Sequence, residues 1–159
     1  MSDDPQRQML RHTVATLAYR GAKSMRGAPA HFAEFQGPEK VRTPGQLLAH
    51  IGDLLDWALA MVQGKPAWHD SPPLAWDAGV QRFHQALEAF DAYLASDQPL
   101  HVSADKLFQG PIADALTHVG QLMILRRLAG APVRGENYFK ADIAAGRVGA
   151  EQKAAVLEF

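Results

Sequence analysis

The sequence predicts an all-α protein, a four-helix bundle formed by a single domain over residues 1–159. In four long segments, apolar residues recur every three or four positions, and no segment alternates convincingly with period two. Connections that contain proline or glycine separate these segments, which is typical of long helices that fold back on one another. A chain of 159 residues of which 47% are hydrophobic is also long enough for one sizeable core.

The first predicted helix runs from about Pro5 to Met25 and ends before Gly27 and Pro29, two residues that interrupt helices. Four residues spaced by three or four positions form its apolar face: Leu10, Val14, Leu17 and Gly21. A short helical turn is expected after it, and this turn carries His31, Phe32 and Phe35.

The second predicted helix has the clearest start signal in the sequence. Thr43 is a favourable N-cap, Pro44 suits the first helical position, and Gln46 completes a capping box with Thr43. Gly64 and Pro66 are expected to end the helix. One stripe of it collects apolar residues and a histidine: Leu47, His50, Ile51, Leu54, Trp57, Ala58 and Met61.

The third predicted helix spans about residues 74–95, and the fourth begins near Pro111 and closes at Gly130. Residues 97–108 between them are too polar and interrupted to predict a long helix. The third helix has a regular core face of Trp76, Val80, Phe83, Leu87, Phe90 and Leu94. The fourth has a face of Ala115, His118, Leu122, Leu125 and Ala129. Short extra helices are expected in the C-terminal tail, for example over residues 150–157.

The composition excludes several classes of function. With 16 basic and 17 acidic residues, the net charge of −1 provides no basic surface for nucleic acid. No stretch approaches the ~18 consecutive apolar residues of a membrane span, and the N-terminus lacks the pattern of a secretory signal. We therefore expect a cytoplasmic protein that binds neither nucleic acid nor membranes. Because the chain has no cysteine, nitrogen and oxygen atoms would have to hold any metal.

Three ionisable residues fall on stripes that otherwise predict core: His50, Asp114 and His118. Since positions i and i+4 are neighbours on a helix, Asp114 and His118 are expected side by side, facing the bundle interior. His50 on a facing helix can then complete a set of three metal ligands. Such a set leaves positions open for water or substrate, as in catalytic metal sites. A shared ion requires the two histidine nitrogens to lie within about 5 Å of each other.

A metal-free interpretation of these three residues also fits the spacing. Asp114 and His118 can form an ion pair on a solvated flank of the fourth helix. A single histidine on an apolar face, such as His50, is more often a hydrogen-bonded core residue than a ligand.

The segment TPGQLLAHIGDLLDW, which begins at Thr43, and the segment DALTHVGQL, which begins at Asp114, resemble the DinB/YfiT-like superfamily. These small bacterial proteins are unrelated to the DNA polymerase that shares the name. The resemblance covers essentially the whole chain in helix order. It implies a four-helix bundle with up-down-down-up connectivity, a homodimer, and a divalent metal ion held by three residues.

Position by position, the resemblance assigns His50 as the ligand on the second helix and His118 as the second histidine of the motif on the fourth. Asp114 replaces the first histidine of that motif. A carboxylate can replace an imidazole as a ligand but favours a harder metal, so zinc, nickel, iron and manganese all remain open. Gln121 matches the glutamine of the same motif and is a candidate for contact with the ligands or with substrate.

The activities known in the superfamily imply a metal-dependent enzyme for this chain as well. One is S-transfer from a low-molecular-weight thiol, such as bacillithiol, mycothiol or glutathione, which here would be a cosubstrate from outside the protein. The other is metal-dependent hydrolysis of a small-molecule substrate, with metal-activated water. The catalytic group is then the water or the thiol rather than a side chain. The alternative is a non-catalytic metal-binding or dimerisation module of a stress or DNA-damage response.

Two further residues near His50 are candidates for supporting roles. Asp53 lies one turn after His50, where its carboxylate can orient the imidazole, although an exposed helix position is equally compatible with the pattern. Trp57 is expected to pack in the core or to form a wall of a substrate pocket.

Overall fold

The computed structural model describes residues 4–159, so residues 1–3 of the N-terminal segment considered above lie outside the described range. The long helices are α1 (Pro5–Met25), α2 (Pro44–Val62) and α3 (Trp76–Ala95). A fourth helical segment consists of α4 (Ala104–Leu107), a π-helical turn (Phe108–Ile112) and α5 (Ala113–Leu128). Two 3₁₀ helices cover Phe32–Glu34 and Tyr138–Lys140. Residues 4–159 contain no strand, so the all-α prediction is confirmed for them.

Local capping explains where the first two helices begin. Oδ1 of Asp4 accepts a hydrogen bond of 2.9 Å from the backbone N–H of Gln6. Thr43 and Gln46 form the predicted capping box: the Thr43 hydroxyl accepts from the Gln46 N–H, and the Gln46 side chain accepts from the Thr43 N–H. All three bonds satisfy N–H groups that have no partner within a helix.

The long helices pack as a bundle in which α2 and α5 are neighbours. α1 packs against α3 and α5, and α2 packs against the same two helices, so α1 and α2 lie diagonally across the bundle. The apolar faces predicted from periodicity meet in one core, and the core stripe of α3 includes four fully buried side chains: Phe83, Leu87, Phe90 and Leu94. The packing of α2 against α5 brings the histidines of these two helices together.

The fourth helical segment begins earlier than the sequence predicts. Helix starts at Ala104 instead of near Pro111, and the chain passes through a wide π-helical turn before α5. Pro111 has no N–H to donate within an α-helix, and a wider turn accommodates it without ending the helical path. Leu107 and Ile112 are fully buried on either side of Pro111, and their packing stabilises a segment that appears interrupted in the sequence.

α3 also begins two residues later than expected, at Trp76 instead of residue 74. Pro72 and Pro73 precede this point, and the residue before a proline is biased towards extended backbone. Leu74 is 45% exposed, so burial does little to favour its inclusion in the helix.

The prediction of a helix over residues 150–157 is wrong, and the only described helix of the tail is the 3₁₀ turn at Tyr138–Lys140. The end of the chain instead runs antiparallel to the segment around Glu136. The Asn137 N–H donates to the Leu157 carbonyl at 3.0 Å, and the Phe159 N–H donates to the Gly135 carbonyl at 3.1 Å. These long-range backbone bonds replace the local bonds of a helix.

None of the helices among residues 4–159 combines the length and the apolar character needed to cross a bilayer.

Candidate metal centre

The imidazoles of His50 and His118 and the carboxylate of Asp114 converge where α2 packs against α5. Nε2 of His118 lies 3.3 Å from Oδ1 of Asp114, and Nε2 of His50 lies 3.7 Å from Oδ2 of the same carboxylate. One potential ligand atom from each of the three residues lies within 4.8 Å of the other two. The two histidine nitrogens therefore meet the distance expected for a shared ion.

The donor set and its spacing fit a divalent transition metal. Two ligand atoms bound at about 2.1 Å to a tetrahedral ion lie about 3.4 Å apart. The separations of 3.3 and 3.7 Å bracket that value. Two imidazole nitrogens and one carboxylate form a common ligand set for such ions. The group of His50, Asp114 and His118 could therefore hold a metal ion.

Gln121 determines which nitrogen of His118 is free to bind. Nδ1 of His118 lies 2.9 Å from Oε1 of Gln121, and an amide oxygen only accepts hydrogen bonds. With the amide oxygen so placed, Nδ1 carries the proton and donates it, which leaves the lone pair of Nε2 directed at the carboxylate of Asp114. A lone pair and a carboxylate oxygen at 3.3 Å repel each other unless a cation or a proton lies between them.

His50 is held in the protonation state that binds metals. Partial burial lowers the pKa of His50, and the charge of Arg42 and the nearby imidazole of His118 lower it further, while Asp114 and Asp53 oppose the shift. The imidazole is therefore neutral at pH 7, as a ligand must be. The ring of His50 also packs edge-on against Trp68, at 5.7 Å between ring centres.

The expectation that Asp114 faces the bundle interior is wrong, because its side chain is 47% exposed, whereas that of His118 is 11% exposed. The three-residue group lies at the margin of the bundle, and one side of it is open. A separate cavity adjoins each residue: about 640 Å³ beside His118, 350 Å³ beside His50 and 420 Å³ beside Asp114. A bound ion at this position is accessible to small molecules.

Asp53, considered above as an orienting partner of His50, bonds to a different set of groups. Its carboxylate accepts from the backbone N–H of Ser71 at 2.9 Å, from the Ser71 hydroxyl at 2.6 Å and from Arg82 at 2.7 Å. These bonds lower the pKa of Asp53 against the opposing effect of its burial. Asp53 therefore ties the loop after α2 to α2 and α3, and this loop forms one wall of the cavity beside His50.

Trp57 lines the cavity beside Asp114 and packs edge-on against Trp68, with ring centres 5.8 Å apart. Trp68 thereby joins Trp57 to His50. Sequence reasoning assigned no role to Trp68 or to Arg42, which lines two of the three cavities. The only signal for Trp68 is a large aromatic residue in a loop rich in proline, and an exposed loop seldom keeps such a side chain unless it packs on something.

The fold and the site define a helical bundle with a His/Asp/His group that could hold a metal ion at the margin between two helices. Comparison of the chain with protein-family models, with curated proteins and with solved structures finds no match. The chemistry of the His/Asp/His group is therefore the basis for the function proposed below.

Proposed function

We propose that the protein is a divalent-metal-dependent enzyme that activates a small molecule at the group of His50, Asp114 and His118. The observation that carries this proposal is the convergence of three ligand atoms within 4.8 Å at a position that adjoins open cavities. Structural metal sites are closed by four protein ligands, whereas catalytic sites retain an open position.

Each residue of the site has a distinct part in this function. His50 and His118 provide neutral Nε2 atoms, and Asp114 provides a negative charge that offsets part of the charge of the cation. Gln121 keeps His118 in the tautomer that presents Nε2. A bound divalent ion would act as a Lewis acid, which lowers the pKa of a water molecule or of a thiol towards neutrality. Zinc, nickel, iron and manganese all accept two nitrogens and one oxygen.

The first candidate reaction is S-transfer from a low-molecular-weight thiol to an electrophilic small molecule. The chain has no cysteine, so the sulfur has to arrive with a cosubstrate of the bacillithiol, mycothiol or glutathione type. The second candidate is hydrolysis, which the exposure of Asp114 favours because water reaches the site directly. Both reactions need the same three ligands.

We also infer that the chain is a member of the DinB/YfiT-like superfamily with up-down-down-up connectivity, and that it forms a cytoplasmic homodimer. The order of the helices and the diagonal placement of α1 and α2 support the family membership and the connectivity. So do the positions of His50 and of the segment from His118 to Gln121, which lie together where that resemblance implies ligands.

The test is turnover by protein stripped with a chelator and then reconstituted with each of the four metals. We expect metal-dependent transfer of at least one of the three thiols to an electrophile, or metal-dependent hydrolysis within a panel of esters and amides. His118→Ala should abolish this activity. His12→Ala, at an exposed position of α1, is the matched control and should retain it.

Reconstituted protein that binds metal at the site but turns over none of these substrates would contradict the enzymatic proposal. That outcome would favour a non-catalytic metal-binding or dimerisation module.

A further inference from the structure

The cavity beside His118 has both apolar and cationic side chains in its lining. Along α5 its wall is formed by Ile124 and Leu128, which are 58% and 55% exposed. The lining also includes His118 of α5 and two cations, Lys40 and Arg42, on the segment before α2. The side chains that line this cavity include no carboxylate. Its volume of about 640 Å³ lies within the range of about 300–1,000 Å³ typical of small-molecule sites.

The two cations have no partner that would neutralise them. Among residues 4–159, neither Lys40 nor Arg42 forms an ion pair with an acidic side chain. Arg42 also lines the smaller cavity beside His50, together with the carboxylates of Asp53 and Asp70. Those carboxylates accept hydrogen bonds from other groups, Asp53 from Ser71 and Arg82 and Asp70 from Trp68. The one carboxylate of the ligand group, Asp114, would be offset by a bound divalent ion. The lining of the larger cavity therefore has two cations and no carboxylate, which favours an anion.

We infer that this cavity binds a small carboxylate with an aliphatic chain, with the chain along Ile124 and Leu128 and the carboxylate near Arg42 and the metal position. The substrate class for the proposed function is then an organic acid with an apolar tail. The placement of its reacting group at the ligands rests on that proposed function.

A second copy of this chain is the competing occupant of the same apolar surface. The charges argue against it, because the lining of this surface offers no carboxylate to pair with Lys40 and Arg42 of a second copy. An interface formed by Ile124 and Leu128 would also place Lys40 and Arg42 at its edge without an anionic partner. A small anion with an apolar tail can contact the apolar side chains and the two cations of the lining at the same time.

Gly120 provides a variant that fills the cavity without disturbing the helix. It lines the cavity on α5, and a Cβ atom built there meets no heavy atom within 4 Å. The larger side chain of Gly120→Leu therefore enters open space. Leucine is also a better helix former than glycine, so the fold should be retained.

The experiment is calorimetric titration of the protein with butanoate, hexanoate, octanoate and octan-1-ol. Each titration is done twice, first with protein from which a chelator has removed the metal and then with the reconstituted protein. We expect the affinity of the carboxylates to rise with chain length, by up to about fourfold for each added methylene group. Arg42→Gln should weaken octanoate about tenfold and leave octan-1-ol unchanged. Gly120→Leu should weaken both, whereas Arg127→Gln, which removes an exposed charge from the same helix, should change neither.

Affinity that does not depend on chain length, or that Gly120→Leu leaves unchanged, would overturn the inference. The inference would also be overturned if sedimentation showed a dimer that Ile124→Asp disrupts and that octanoate does not affect. If the protein binds no metal, the proposed function is overturned. The carboxylate site would still be supported if the affinity of the metal-free protein for the carboxylates rises with chain length. Metal-dependent turnover without any binding of carboxylates would support the proposed function and overturn only the carboxylate site.

Discussion

Nδ1 of His118 lies 2.9 Å from the side-chain oxygen of Gln121, one turn further along α5. This single contact assigns the proton of the imidazole and directs Nε2 towards Asp114. The spacing of three residues between His118 and Gln121 on α5 therefore leaves Nε2 of His118 free to bind a metal ion.

Replacement of Gln121 tests that relationship. Gln121→Met removes the acceptor at similar size, so we expect metal affinity to fall by about 10- to 100-fold, as is typical when a partner of a ligating histidine is lost. Gln121→Glu keeps an acceptor at the same place and should retain tight binding. Competition titration with a chromogenic chelator measures both, and equal affinities for the two variants would show that the contact does not control the ligand.

Glu136 holds the C-terminal tail against α1. Its buried carboxylate accepts from the Tyr19 hydroxyl at 2.5 Å and from Lys23 at 2.6 Å, and Lys23 itself is buried. Glu136→Gln leaves the Lys23 ammonium poorly compensated, and we expect a loss of about 3 kcal/mol in the free energy of unfolding. Glu158→Gln removes the more exposed partner of Lys23 and should cost less than about 1 kcal/mol. Urea denaturation would contradict this ranking if the two variants were equally stable.

Arg126 supports the end of α1 from within the bundle. It is buried and donates hydrogen bonds to the backbone carbonyls of Ser24, Arg26, Gly27 and Ala131. Arg126→Met leaves these carbonyls without their donor, at a cost of about 1–3 kcal/mol for each one that water does not reach. We therefore expect a clear fall in melting temperature. The neighbouring exposed residue provides the control, since Arg127→Met should change stability by no more than about 0.5 kcal/mol.

Burial of His84 makes stability depend on pH. Desolvation lowers the pKa of His84, while a 3.1 Å contact of Nδ1 with the Val148 carbonyl and the charge of Glu88 oppose the shift. As the pH falls below about 6.5, the unfolded chain takes up a proton that the folded protein resists. Stability should therefore decline with falling pH, by at most about 1.4 kcal/mol per unit for this group, until the folded pKa is reached.

His84→Asn retains a donor for Val148 and cannot titrate, so it should flatten this part of the profile below about pH 6.5. Denaturation curves in the presence of a chelator measure the slope without any contribution from bound metal. A slope identical to that of the wild-type protein would show that His84 is not the responsible group.

The elements that could be predicted from the sequence are those with local signals. The limits of α1 follow from Pro5, Gly27 and Pro29. The start of α2 follows from Thr43, Pro44 and Gln46, which act within one turn of the helix that they begin. The path around Pro111 and the conformation of the tail depend on contacts between distant parts of the chain, such as that of Glu136 with Lys23. No local pattern contains that information.

The same distinction holds for the site. The i, i+4 spacing predicts that Asp114 and His118 lie side by side, and the structure places them 3.3 Å apart. The exposure of Asp114 could not be predicted, since it depends on how α5 rotates against α2. Arg42 and Trp68 lie outside the helices, where hydrophobic periodicity carries no information about which cavity or ring a side chain meets.

The most direct test of the metal centre is the number of zinc ions retained per chain after equilibrium dialysis of protein purified without a metal-affinity tag. We expect one ion per chain for the wild-type protein and for His12→Ala, and none for His50→Ala or His118→Ala. Retention of a full equivalent of zinc by His118→Ala, with its fold intact by circular dichroism, would contradict the assignment of His50, Asp114 and His118 as the ligands.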